Sequence, residues 1–286
     1  MKIIFHTSIH FAVLIFLCLN FPVQAISQEL KPIKLQLKWL HQFQFAGYYA
    51  AKEKGFYKDA GLDVEILQGN ALNPPVNTVL RGKADFGVTG SDILNSFINK
   101  EPVVVVSVIF QHSPYVFMTL SDRKINSPSD LAGKTIMASE DQGGKLLKAL
   151  LLDEGIPIDS VNIIDHSWQI QDLVNGKADA QSAYLTVEPQ ITRKMGHQVS
   201  LINPINYGID FYGDLLFTTV KMANNHPRVV EKFNEASLKG WQYAMAHPEE
   251  MVKYILELPG VKSRGITREQ LLYEAGEMNK LILPEL

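Results

Sequence analysis

Between residues 33 and 220, short apolar runs of strand length alternate with segments of helical period, and that alternation restricts the chain to an α/β fold with a largely parallel sheet. The runs at 33–38, 62–67, 85–89, 103–109 and 115–120 predict strands, with helices over 45–54, 75–82 and 91–99 between them. Gly55 stands where a left-handed residue would end the first helix, and Pro74-Pro75 suits a helix start that needs no backbone donor. A second set begins at Ser127-Pro128-Ser129-Asp130-Leu131-Ala132-Gly133, which reads as a capped helical turn leading into a strand at 134–138. Helix 144–154, strand 161–164, helix 168–175, strand 179–184, helix 187–195 and strand 198–202 follow.

Gly82-Lys83-Ala84-Asp85 recurs as Gly176-Lys177-Ala178-Asp179, each time between a helix and a strand. Two explanations stand: a repeated α/β plan, or a common helix-to-strand turn used twice. After a strand at 214–220 the pattern becomes almost wholly helical, over 227–246, 248–257 and 267–281, a tail expected to pack back on the first lobe. A chain that leaves one lobe, builds a second and returns makes two crossover strands, predicted near 118–122 and 212–217, and such crossovers are natural hinges. These boundaries give one lobe of residues 33–120 plus 214–286 and another of 121–213.

Lys2, the apolar run from Ile9 to Leu19 broken only by His10, and the small-residue site Val23-Gln24-Ala25 read as a signal peptide over residues 1–25. An uncleaved anchor is the alternative, but the run is short and no later segment approaches the ~20 apolar residues of a membrane span. Export as a soluble chain is therefore expected. Cys18 is the only cysteine and lies in the segment to be removed, which excludes disulfides, cysteine nucleophiles and thiolate metal sites from the mature chain. Phe16 and Leu17 stand where a lipoprotein would carry small residues before its cysteine. A net charge of −3 with scattered charges points to no nucleic acid or anionic membrane partner, and the chain is expected to act as a monomer.

In open α/β sheets ligands sit beyond the carboxyl ends of parallel strands, so the residues after each strand are the ones to inspect. The candidate ligand-binding set is Trp39, Gln42, Phe45, Thr89, Ser91, Gly143, Gly144, Tyr184, Glu188 and Asp214. Flat faces from Trp39, Phe45 and Tyr184 with hydroxyls from Thr89 and Ser91 suit a planar polar molecule. The Gly143-Gly144 turn would place free backbone donors at a helix start, where an anionic group can sit. Glu188 before Pro189 is a good acceptor for ring amino groups. Each has a plainer alternative: Trp39 and Phe45 as core, the glycine pair as an ordinary loop, Glu188 as a solvated turn residue. His41, His112 and His166 lack the spacing of a metal site, and there is no Gly-x-Ser-x-Gly, so neither metal nor catalytic residues are expected.

At Leu35-Gln36-Leu37-Lys38-Trp39, from Phe45 through Tyr57, and at Gly61-Leu62-Asp63-Val64, the chain resembles the superfamily of periplasmic substrate-binding proteins that serves sulfonate, taurine and thiamine-pyrimidine uptake. The resemblance continues through Gly82 to Gly87, Leu131-Ala132-Gly133-Lys134 and Glu188-Pro189. It implies the type II periplasmic-binding-protein fold, two α/β lobes joined by two crossover strands with the ligand between them. It further implies a periplasmic location, an ABC permease in the inner membrane as partner, and a heteroaromatic ligand similar to a thiamine-pyrimidine precursor. Trp39 would stack on the ligand ring and Glu188 would meet its amino group.

The same superfamily includes thiamine-pyrimidine synthases, which use a lysine for pyridoxal phosphate, a reacting histidine, iron and a cysteine-rich motif. Here Thr89 stands at the lysine position, Ile93 falls near the histidine position, and Tyr212-Gly213-Asp214-Leu215-Leu216-Phe217 replaces the cysteine-rich segment. The residues therefore predict neither synthase activity nor a cofactor. Similar segments also occur as extracytoplasmic sensor domains joined to histidine kinases or diguanylate cyclases. Ending at Leu283-Pro284-Glu285-Leu286, the chain fits either a complete uptake protein or a piece of such a sensor.

Overall fold

The computed structural model describes residues 29–70, 72–138 and 142–282. The expected signal peptide and Cys18 lie outside these residues. Among the described residues ten strands form: β1 (Lys31–Gln36), β2 (Leu62–Leu67), β3 (Phe86–Thr89), β4 (Val103–Val108), β5 (Tyr115–Leu120), β6 (Thr135–Met137), β7 (Asn162–Ile164), β8 (Ala180–Tyr184), β9 (Val199–Ile202) and β10 (Leu215–Thr219). They build two five-stranded sheets, ordered β2-β1-β3-β10-β4 and β7-β6-β8-β5-β9.

Position for position the two orders are equivalent, with a parallel trio on one side and an antiparallel pair on the other. Four of the five strands in each sheet thus run the same way, as the largely parallel expectation has it, and one strand in each is reversed. β10 runs antiparallel to β3 and β4, and β5 antiparallel to β8 and β9. The cause is the crossover: β5 and β10 each arrive from the other lobe, start at the cleft, and run against the strands that end there.

The repeated Gly-Lys-Ala-Asp segments occupy equivalent places in this plan. Gly82 and Gly176 take left-handed φ values of 68° and 80°, as a helix-ending glycine does. The carboxylates of Asp85 and Asp179 each accept a backbone N–H from the neighbouring strand, Lys34 on β1 and Thr135 on β6, both at 2.8 Å. The carbonyls of the same aspartates accept the hydroxyls of Thr218 on β10 and Thr119 on β5. Turn, strand register and crossover strand are therefore locked by the same four-residue device in both lobes.

One boundary moves. β5 was expected to close the first lobe, but its partners β8 and β9 place it in the second sheet. The first crossover is therefore 109–114 rather than 118–122, and the second occupies 203–214, overlapping the expected 212–217 only over its last three residues. An apolar run six residues long looks the same whichever sheet receives it, so its pairing is a tertiary fact. The crossovers lie side by side: Ile109 and Phe110 donate their N–H groups to the Asp214 carbonyl and Gly213 donates to the Phe110 carbonyl, all at 2.9 Å.

Helices Pro227–Ala246, Pro248–Leu256 and Arg268–Ile282 pack on the first lobe, where Phe233, Trp241, Met251, Leu271 and Met278 join Tyr48, Tyr57 and Phe86 in one core. The second lobe has its own core around Phe117, Ile136, Leu146, Leu147 and Leu150. Among the described residues no helix is long and apolar enough to cross a membrane.

Candidate functional site

The carboxyl ends of both parallel trios point into the space between the lobes. β1 delivers Lys38, Trp39, Gln42 and Gln44; β2 delivers Asn70; β3 delivers Thr89 and Asp92. From the opposite lobe β7 delivers Asp165, His166 and Trp168, and β8 delivers Tyr184 and Glu188. Together they line a cleft of about 450 Å³, within the range of small-molecule sites.

Trp39 and Trp168 reach this cleft from different lobes and meet with ring centroids 5.1 Å apart at a 47° tilt. Trp168 in turn stacks on His166 at 4.4 Å. The imidazole is oriented by two contacts, Nε2 lying 2.8 Å from the Ser182 carbonyl and Nδ1 accepting the Trp168 N–H at 2.9 Å. Trp168 holds a positive φ of 60°, costly for a bulky residue and retained where surrounding contacts over-determine it.

At the cleft floor a polar chain begins with Gln42 Nε2, which donates to Gln44 Oε1 at 2.6 Å, while Gln44 Nε2 donates to Asp214 Oδ2 at 2.7 Å. Lys38 Nζ lies 3.1 Å from Asp214 Oδ1 and donates to the Tyr184 hydroxyl at 2.8 Å. Burial opposes the charge on Lys38, but Asp214, Tyr115 and Asp92 outweigh it and hold the ammonium above the usual lysine value. Burial also pushes the Asp214 carboxyl up, against the pull of Lys38 and Gln44.

Glu188 closes the site from the second lobe. Burial pushes its carboxyl up to about 7, although its own N–H and that of Tyr184 favour the charged form. Glu274, on the C-terminal helix, donates nothing to the cleft but interacts electrostatically with Glu188; burial pushes it up to about 8 despite the Phe43 N–H bond. Among the described residues no group of three or more His, Cys, Asp or Glu side chains is placed to hold a metal ion.

Of the ten residues chosen from sequence, Trp39, Gln42, Thr89, Tyr184 and Glu188 line this one cleft, and Asp214 lies just beneath it, bonded to Lys38 and Gln44. Four are corrected. Phe45 is fully buried in the first-lobe core, because the 3₁₀ turn Phe43–Phe45 points it under the helix that follows. Ser91 gives its hydroxyl to the Tyr212 carbonyl and faces a different groove. Gly143 and Gly144 are buried in the first turn of helix Gln142–Asp153. A Cβ on Gly143 would lie 3.0 Å from Tyr115 and 3.2 Å from Ser182, so glycine there lets helix and strand approach; the cleft-lining residue of that segment is Gln142.

Sequence reasoning missed Trp168, Lys38, Gln44, Asp92 and Gln142. Lys38, Gln44, Asp92 and Gln142 all lie at or after predicted strand ends, the places that the topology rule marks. Trp168 opens the predicted helix 168–175, and it too follows a predicted strand, 161–164, where the same rule places ligand contacts.

A family model described as NMT1/THI5 like matches residues 42–251. The chain is 25% identical over 234 residues to a formylaminopyrimidine-binding protein of Halalkalibacterium halodurans, covering 80% of this chain and 71% of that one. It is 25% identical over 235 residues to the riboflavin-binding protein RibY of Chloroflexus aurantiacus, covering 80% and 67%. A Legionella pneumophila protein named 4-amino-5-hydroxymethyl-2-methylpyrimidine phosphate synthase is 21% identical over 240 residues, covering 82% and 75%. Among solved structures, the periplasmic aliphatic sulphonate binding protein SsuA of Escherichia coli superposes with a TM-score of 0.69 at 13% identity, over 87% of this chain and 83% of that one. That likeness shows the periplasmic-binding-protein fold.

Proposed function

This chain belongs to the NMT1/THI5-like family, and we propose that it is an extracytoplasmic solute-binding protein that captures a small heteroaromatic molecule, of aminopyrimidine type, for an ABC importer. The observation that carries the reading is the cleft itself, in which indoles from both lobes face a floor of amide, hydroxyl and carboxyl groups. Indole faces bind flat rings by offset stacking, and a few placed polar groups set the ring's orientation. Glu188, with its carboxyl near 7, accepts from a ring amino group when ionised and donates to a ring nitrogen when protonated.

A binding role accounts for the residues better than synthesis does. Thr89 is a hydroxyl bonded to Asp92 at 3.1 Å and offers no amine for a Schiff base, and Ile93 is a buried apolar residue. The relatives named as formylaminopyrimidine- and riboflavin-binding proteins support a flat nitrogen heterocycle as ligand. The expected leader and the likeness to a periplasmic sulphonate-binding protein support a periplasmic location.

The test is a thermal-shift screen of the protein against aminopyrimidines, flavins, aliphatic sulfonates and amino acids. A selective rise in melting temperature with a nitrogen heterocycle supports the reading; a rise with sulfonates or amino acids alone overturns it.

A further inference from the structure

We propose that Asp214 sets the charge selectivity of the cleft: by engaging the Lys38 ammonium from below, it makes the site refuse anions and admit neutral or cationic ring compounds that donate N–H groups. The inference rests on the cleft being the ligand site and adds what kind of ligand it excludes.

Lys38 is the one lysine or arginine among the described residues that line the cleft. In a two-lobed binding site that cation would be the natural partner of a phosphate, sulfonate or carboxylate. Two of its three N–H donors are engaged instead, by Asp214 Oδ1 at 3.1 Å and the Tyr184 hydroxyl at 2.8 Å. Asp214 is itself 2% exposed, and its second oxygen takes Gln44 Nε2 at 2.7 Å. Both carboxylate oxygens thus accept from donors, which is the bonding pattern of an ionised acid, and the pair is electrically closed.

Among the described residues, the acidic side chains on the cleft wall are Asp92, Asp165 and Glu188. Asp92 is already oriented by the Thr89 hydroxyl and the Gly90 N–H, at 3.1 Å and 3.0 Å. An anion entering here loses water, finds the lysine engaged and faces carboxyl groups on both lobes. Unfavourable charge placed against the wrong ligand is how binding sites obtain specificity beyond their attractive contacts. Asp214 is well placed for this control. It is the last residue of the second crossover, its carbonyl accepts the N–H groups of Ile109 and Phe110, and its carboxylate is the group that meets a lysine from the first lobe and a tyrosine from the second.

Isothermal titration of a matched pair reads the effect: 4-amino-5-hydroxymethyl-2-methylpyrimidine and its phosphate monoester, which differ only by the anionic group. Wild type is expected to prefer the alcohol by about tenfold or more, and Asp214→Asn to shrink or invert that ratio by about tenfold through a gain in phosphate-ester affinity. The double variant Asp214→Asn/Lys38→Gln should lose the gain, which ties it to the released ammonium. Equal binding of both compounds by wild type, or an unchanged ratio in a folded Asp214→Asn protein, overturns the proposal. If Asp214→Asn does not fold, Lys38→Gln alone decides: a selective fall in phosphate-ester affinity, which widens the preference for the alcohol, would show that Lys38 receives anions, against the proposal, and an unchanged preference supports it.

Wild type that binds neither compound nor any other heterocycle removes the functional reading instead. Charge control is then read with methanesulfonate, which should raise the melting temperature of Asp214→Asn and leave wild type unmoved; the reverse, or no difference, overturns it.

Discussion

Replacing Trp39 by alanine separates a ligand-facing indole from a structural one, because the two roles predict different free energies. Emptying a fully packed aromatic site costs about 3–5 kcal/mol. Trp39 is only partly buried, touches the first-lobe core at its edge, and keeps its carbonyl bond from the Gly69 N–H at 2.8 Å whatever its side chain. What alanine removes from the unliganded protein is that partial packing and the tilted contact with Trp168, itself worth about 0.5–1.5 kcal/mol. The apo protein should therefore lose about 1–2 kcal/mol in urea denaturation, below the core value.

Ligand at 100 times the wild-type dissociation constant adds about 2.7 kcal/mol to folding stability. If losing the stack weakens binding about tenfold, the same concentration adds only about 1.4 kcal/mol to the variant. A double-mutant cycle with Trp168→Ala should return a coupling of about 0.5–1.5 kcal/mol in the apo state, since the rings touch across the lobes. An apo loss of about 3–5 kcal/mol with an undiminished ligand gain would refute the reasoning and make Trp39 core. A coupling indistinguishable from zero would mean that the lobes do not bring the indoles together in solution.

The Glu274 carboxyl is pushed up to about 8 by burial, with Glu188 adding to the rise and the Phe43 N–H, Gln270 and Arg264 opposing it. The folded chain thus holds a proton that the unfolded chain releases above the ordinary value of 4.5, so stability falls as pH rises from there towards 8, by up to about 1.4 kcal/mol per pH unit. Glu274→Gln should flatten that slope in urea melts between pH 5 and 8, leaving the smaller window that Glu188 contributes up to about 7; an unaltered slope would contradict the assignment. Gly213→Ala places a Cβ 2.7 Å from the Phe110 Cβ and 2.8 Å from the His112 carbonyl, so the paired crossovers must separate, at about 1–3 kcal/mol in denaturation. Asp85→Ala and Asp179→Ala should cost similar amounts, about 1–3 kcal/mol each, because each strips one backbone N–H of its carboxylate acceptor; hydrogen exchange should show each loss confined to its own lobe.

Strand and helix positions were determined by the sequence alone wherever the signal was local. The runs at 62–67 and 115–120 and the helix at 227–246 coincide with β2, β5 and Pro227–Ala246, because side-chain period and proline starts act within a few residues. The capped turn read at Ser127 forms for the same reason, with Asp130 Oδ2 accepting the Ser127 N–H at 3.0 Å. Trp39, Tyr184 and Glu188 were found by a rule of topology that needs only the ends of strands.

Tertiary structure decided the rest. Trp39 and Phe45 share one strand exit, yet one faces the cleft and the other is sealed in the core, a difference set by a 3₁₀ turn and by helices from the far end of the chain. β5 joins the second sheet because β8 and β9 offer it partners, which its own residues do not record. Lys38 meets Asp214 from 176 residues away, and Trp168 meets Trp39 only because two lobes close on one another. Hydrophobic period and turn chemistry are properties of neighbouring residues, whereas pairing, burial and charge compensation depend on which distant groups the folded chain brings within a few ångströms.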